Sequence, residues 1–133
     1  MRGFIPYQNE DGRAAPWEYL PASAITPKLG MALVLSSGQL AVATGANKPD
    51  YISMAEKAAA VSAGDVIPVI KVQPDQVFEC TNSASLSGVN IGQKVTLHAS
   101  SGLQVTGTTT SGVATIVAKE GDGAGSRVLV RFE

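Results

Sequence analysis

Few residues in this chain could do acid–base, nucleophilic or metal chemistry. There is one histidine and one cysteine. His98 sits in V-T-L-H-A. In a strand, Val95 and Leu97 share one face, with Thr96 and His98 on the other. The polar company on that second face makes His98 a surface or interface side chain. As a general base it would need a nucleophile and an orienting partner, and no sequence signature supplies them. Cys80, in Q-V-F-E-C-T-N, shares a face with Phe78 and reads as a small core residue. A nucleophilic thiol would want a nearby imidazole and a lowered pKa. One His and one Cys provide no zinc site.

The carboxylates are scattered. Glu10-Asp11 reads as an exposed turn, and Glu120 and Asp122 fall in a Gly-rich hairpin. Nothing pairs them across a substrate as a glycosidase requires. G-D-G-A-G at 121–125 precedes a strand rather than opening a helix, so it is a hairpin tip and not a dinucleotide fingerprint. Lys57, in M-A-E-K-A, is the nearest candidate for a lipoyl- or biotinyl-type carrier lysine, given the phrase Ala63-Gly64-Asp65-Val66. It lacks the flanking pattern of those carriers. The sequence therefore predicts no enzyme, no catalytic residue, no cofactor and no metal.

The elements that position these residues are short strands. Alternating segments are predicted at 30–35, 39–44, 51–55, 65–72, 76–81, 93–98, 103–108, 113–119 and 126–132. Turn signals separate them: Ser37-Gly38, Gly45 to Pro49, Ala63-Gly64, Pro74-Asp75, Ser87-Gly88, Ser101-Gly102, Ser111-Gly112 and Gly121 to Gly125. Spacing near ten residues predicts an all-β barrel or sandwich. The A-E-K-A-A-A stretch within 54–61 has high helix propensity but is short, so it is left open between one helical turn and a loop. Parity along the strands predicts a core that includes Leu33, Leu35, Ile67, Val69, Val95, Leu97, Val128 and Val130.

The body repeats itself. L-G-M-A-L-V-L-S-S-G-Q-L-A-V-A-T-G from Leu29 matches I-G-Q-K-V-T-L-H-A-S-S-G-L-Q-V-T-G from Ile91. A-G-D-V-I-P-V-I-K-V from Ala63 is echoed by A-G-S-R-V-L-V-R-F from Ala124. Either the composition throws up such phrases by itself, or two similar β-meander units, 29–73 and 90–132, share one core. The second reading is the one adopted.

Residues 1–28 differ. They hold Phe4, Tyr7, Trp17 and Tyr19 among the seven aromatics of the chain, and Pro6, Pro16, Pro21 and Pro27 among its seven prolines. No period runs through them, and proline removes donors and fixes φ. The prediction is an extended, irregular N-terminal arm, 1–28, on a single β-rich body, 29–133. Its aromatics then pack on the body, pack on a neighbouring chain, or stay mobile until a partner arrives, and Phe4, Tyr7, Trp17 and Tyr19 are the interface candidates.

Composition narrows the class. The chain has 133 residues, 44% of them hydrophobic and 16% charged, with a net charge of -1. A core is feasible without disulfides or metals. The charge balance gives no basic field for nucleic acid. No apolar run approaches ~18 residues, so no membrane helix is predicted. The N-terminal M-R-G-F-I-P-Y-Q lacks the apolar core of a signal peptide.

The phrases G-M-A-L-V-L-S-S-G-Q-L-A, K-P-D-Y-I-S-M and A-G-D-V-I-P-V-I-K-V, with G-V-A-T-I-V-A and R-V-L-V-R-F near the C-terminus, resemble the capsid decoration (cement) proteins of tailed bacteriophages and prophages. The resemblance runs from about Leu29 to Phe132. It implies a small barrel or tulip-like body on the outside of an icosahedral shell. It implies the major capsid protein as partner, a homotrimer, synthesis in the host bacterial cytoplasm and no catalysis. Two other classes stay open: another virion part, such as a head-fibre base or tail protein, and a small carrier or ligand-binding β-barrel.

Overall fold

The computed structural model describes residues 2–8 and 16–133. The predicted turn at 9–13, with Glu10-Asp11, lies outside them. The described chain is all-β. Its strands are β1 (Ile5–Gln8), β2 (Trp17–Pro21), β3 (Ala32–Ser36), β4 (Gln39–Val42), β5 (Tyr51–Ser53), β6 (Val66–Lys71), β7 (Val77–Asn82), β8 (Lys94–Val95), β9 (Gln104–Val105), β10 (Ala114–Lys119) and β11 (Arg127–Phe132).

Nine of these fall within or within one residue of the segments predicted by alternation. The two others, β1 and β2, lie in the stretch expected to be irregular. Proline did not prevent pairing there. Pro6 sits on an edge strand and Pro21 ends one, places where a missing N–H costs no ladder bond.

The strands form two sheets. One runs β2-β6-β5-β3-β4 and the other β1-β7-β11-β10-β8, with β9 beside β7. Neither is closed into a barrel.

The two sheets share one wiring. In the first, β3 pairs with β4 and β5, β5 with β6, and β6 with β2. In the second, β8 meets β9 through the Leu97–Val105 bridge, then pairs with β10; β10 pairs with β11, and β11 with β7. Even the short parallel contact recurs: Ala22 bridges Leu40, and Thr81-Asn82 pairs with Gln104-Val105. Single hydrogen bonds follow suit. Gly64 N–H donates to Ala22 O and Gly125 N–H to Asn82 O, both at 2.8 Å. The repeat thus includes one more strand per copy than the sequence phrases revealed, β2 in the first and β7 in the second.

Alternation explains two packed clusters. Leu33, Leu40, Ile67 and Val69 point into the first unit with Ala22 and Met31. Ala32, Ile52 and Ile70, of the opposite parity, join Phe78, Val95, Leu97, Ile116, Val128, Val130 and Phe132 in a larger cluster common to both units. A sheet buried on two faces needs apolar residues at both parities, and V-I-P-V-I-K in β6 supplies them. Seven of the eight predicted core residues are buried. Leu35 is the exception, 46% exposed. It pairs with Leu40 near the tip of the β3–β4 hairpin and lines an open cleft with Pro49 and Tyr51.

The segment 54–61 is not helical. Its backbone donors are taken elsewhere: Lys57 N–H by Pro27 O and Val61 N–H by Ile25 O, both at 2.9 Å. Tertiary partners outweigh the propensity of A-E-K-A-A-A.

Candidate functional site

The four aromatics singled out in the N-terminal stretch separate in the structure. Phe4 is fully buried. Its ring meets Phe132 edge-on at 5.0 Å, and Phe132 in turn lies 5.4 Å from Phe78. The expectation that Phe4 forms an interface is corrected: it is a core residue. Gly3 and Gly30 explain how it gets there. Gly3 N–H donates to Leu29 O at 2.9 Å and Phe4 N–H to Gly30 O at 2.6 Å. The backbones cross so closely that a Cβ on Gly30 would lie 2.7 Å from Phe4 N. Gly30 also has φ +81°, a conformation that side chains resist.

Tyr7, Trp17 and Tyr19 are exposed, at 51%, 56% and 64%. They do not form one patch by strand pairing, because Tyr7 lies on β1 in one sheet and the other two on β2 in the other. Trp17 and Tyr19 share one parity of β2, opposite Ile70 and Pro68 of β6. Leu20, at the opposite parity, packs on the first-unit core. Both aromatics therefore stand on a fixed strand rather than a loose arm.

Tyr7 belongs to a cluster that sequence reasoning missed. Arg127 Nε lies 2.8 Å from Glu79 Oε1, its Nη1 3.3 Å from Glu120 Oε1, and its guanidinium 5.5 Å over the Tyr7 ring. The Arg127 hydrogen bond holds the Glu79 carboxyl below the usual range, and Glu79 pushes Arg127 up. Arg2, Gly3, Ile5, Glu120, Gly121 and Gly125 help frame a cleft of about 470 Å³ beside this group. The sequence signal lay in the parity of β7 and β11. Using it required the register Leu129↔Glu79, which two distant strands do not disclose.

The chemical candidates have structural work. His98 Nδ1 accepts the Ser101 N–H at 3.2 Å and so braces the turn that follows. Cys80 is buried beside Phe78, and burial pushes its thiol up, away from the reactive thiolate. Asp122 takes Lys119 Nζ at 2.6 Å, and that ammonium also caps the carbonyls of Leu86 and Val89. Lys57 lies on the irregular segment between β5 and β6, not at a tight hairpin turn. Among the described residues no group of three His, Cys, Asp or Glu side chains could hold a metal ion. No helix of the described residues is long and apolar enough to cross a membrane.

No protein family matches the chain, and no curated protein matches it closely enough to count as a relative.

Proposed function

We propose that this protein is a structural virion component that binds the outer surface of an icosahedral phage capsid and stabilises it. The sequence phrases from Leu29 to Phe132 support this reading, and one structural observation adds to it: Trp17 and Tyr19 are held exposed on β2, a strand paired along its length with β6. Exposed aromatics fixed by backbone pairing supply contact area at low entropy cost. The partner is the major capsid protein. A homotrimer at local threefold positions multiplies weak contacts through effective concentration. A near-neutral net charge lets many copies crowd one surface. In this reading the protein has no turnover and no cofactor.

The test is add-back. Purified protein is mixed with undecorated, expanded heads of the phage whose genome encodes it. The expected result is saturation of a fixed set of sites and greater resistance of the heads to heat or chelators. Absence of binding at micromolar concentration rejects the proposal.

A further inference from the structure

The two units superpose row on row, and one row changes character between them. Across β3, β5 and β6, Ala32, Ile52 and Ile70 stand side by side. They are buried in the cluster common to both units. The same row across β8, β10 and β11 reads Lys94, Thr115 and Arg131. Ala114, Ile116 and Val130 beside it are buried, so alternation turns this polar row to the outer face of the second sheet. Ion pairs among the described residues engage Lys28, Lys119 and Arg127, but not Arg131. Arg131 Nε and Thr115 Oγ1 belong to cross-strand partners. Both atoms are shut off from solvent without a hydrogen-bond partner among the described residues. A donor buried without an acceptor is costly. Arg127, four residues earlier on the same face, carries no such cost, because Glu79 and Glu120 take its guanidinium.

Arg131 lines a cleft of about 520 Å³ on that face. Tyr7, Val77, Val117 and Leu129 give the cleft apolar walls, and Asp75 and Glu133 line it too. Charges of both signs therefore share one cleft, yet neither carboxylate pairs with Arg131. From this arrangement we propose that the cleft binds a small zwitterion with an apolar side chain, a free α-amino acid of the leucine or phenylalanine kind. The ligand carboxylate pairs with the Arg131 guanidinium and gives its idle Nε–H an acceptor. The ligand ammonium goes to Asp75 and Glu133, and its side chain lies against the apolar walls. The charges select this class. A plain carboxylic acid would meet Arg131 but also two carboxylates that repel it. A plain amine would meet the carboxylates but also the guanidinium. A ligand with both charges on one carbon satisfies all three groups. Apolar walls with a few convergent polar groups are the usual make-up of a small-molecule site. The site is separate from the capsid contact proposed above and does not depend on it.

The experiment uses the full, isotope-labelled chain and three probes that share one ring. They are phenylalanine, hydrocinnamate, which lacks the ammonium, and phenethylamine, which lacks the carboxylate. Nuclear magnetic resonance follows the Nε–H signal of Arg131, assigned by its loss in Arg131→Gln. The Arg127 Nε–H, held 2.8 Å from Glu79 Oε1, is the internal reference. Phenylalanine is expected to shift the Arg131 signal with millimolar affinity, as suits a ligand of its size, and to bind roughly ten-fold more tightly than either analogue. Backbone signals of the cleft report binding in the variants. Arg131→Gln is expected to weaken phenylalanine binding roughly ten-fold and to strengthen phenethylamine. Asp75→Asn with Glu133→Gln is expected to weaken phenylalanine by a similar factor and to strengthen hydrocinnamate. Opposite changes for two probes in one variant cannot come from misfolding. Equal affinity for the three probes would mean a cleft indifferent to charge and overturns the proposal. An Arg131 signal that stays in place at roughly 10 mM phenylalanine overturns it as well.

Discussion

Ser23 and Ser83 occupy equivalent places and do the same thing twice. Each donates both its N–H and its hydroxyl to one carbonyl: Ser23 to Leu40 O at 2.9 and 2.7 Å, and Ser83 to Val105 O at 2.7 and 3.2 Å. In each unit this serine follows the first strand and fastens it to the third, β4 in one and β9 in the other. Replacing either by Ala keeps the main-chain bond and loses the hydroxyl bond, which is expected to cost about 1 kcal/mol. The two sites share no partner, so the double variant should add within ~0.5 kcal/mol. Urea denaturation of the single and double variants measures this.

Phe4 and Tyr7 stand three residues apart and should behave as opposites. Phe4→Ala empties a fully buried site against Phe132 and is expected to cost roughly 3–5 kcal/mol. Tyr7→Ala removes an exposed ring whose one named contact is the Arg127 guanidinium, and about 1 kcal/mol or less is expected. Chemical denaturation of the two variants separates core from surface in the N-terminal stretch.

Leu35 and Leu97 are matched by the repeat but not by burial. Leu97 is 1% exposed and Leu35 is 46% exposed. Leu97→Ala is expected to cost about 2–5 kcal/mol, whereas Leu35→Ala should stay below about 1 kcal/mol. Equal costs would show that the environment of the Leu35 hairpin has been misread.

Glu79 gives a pH signature. Its carboxyl is held below its ordinary value, chiefly by the Arg127 hydrogen bond. A depressed folded-state pKa contributes stability that is fully present above the unfolded value, near 4.5, and is lost as pH falls through the folded value. Solvent screens this half-exposed pair, so the effect is small. Glu79→Gln is expected to lower the melting temperature slightly at pH 7 and to leave it unchanged near pH 2, converging with the wild type between. Melting curves across that range check the sign.

Much of this fold was legible because alternation and turn residues are local. Val95, Leu97, Val128 and Val130 could be placed from parity alone, and the Ser37-Gly38 turn from its residues. That turn carries φ of 51° and 79°, as a tight hairpin requires. The N-terminal stretch was illegible for a different reason. β1 and β2 are too short and too rich in proline to show a period, and they become strands only because β7 and β6 offer edges to them. Phe4 looked like Trp17 in sequence; only the crossing at Gly30 sends one ring inward and leaves the other out. Arg127 and Glu79 were unreadable as a pair because side chains 48 positions apart meet only through register.

The Phe4–Phe132 contact also governs the order in which the molecule can be made. The first unit, through Lys71, could pair its strands early, but the cluster it shares with the second unit stays open until β11 arrives. On a ribosome, the cluster that holds Ile52 and Ile70 therefore stays incomplete until synthesis has passed Phe132, whose ring packs against both Phe4 and Phe78. A chain dominated by such distant pairings closes slowly. Its vulnerable interval is the one in which a half-built sheet waits with an uncovered apolar face.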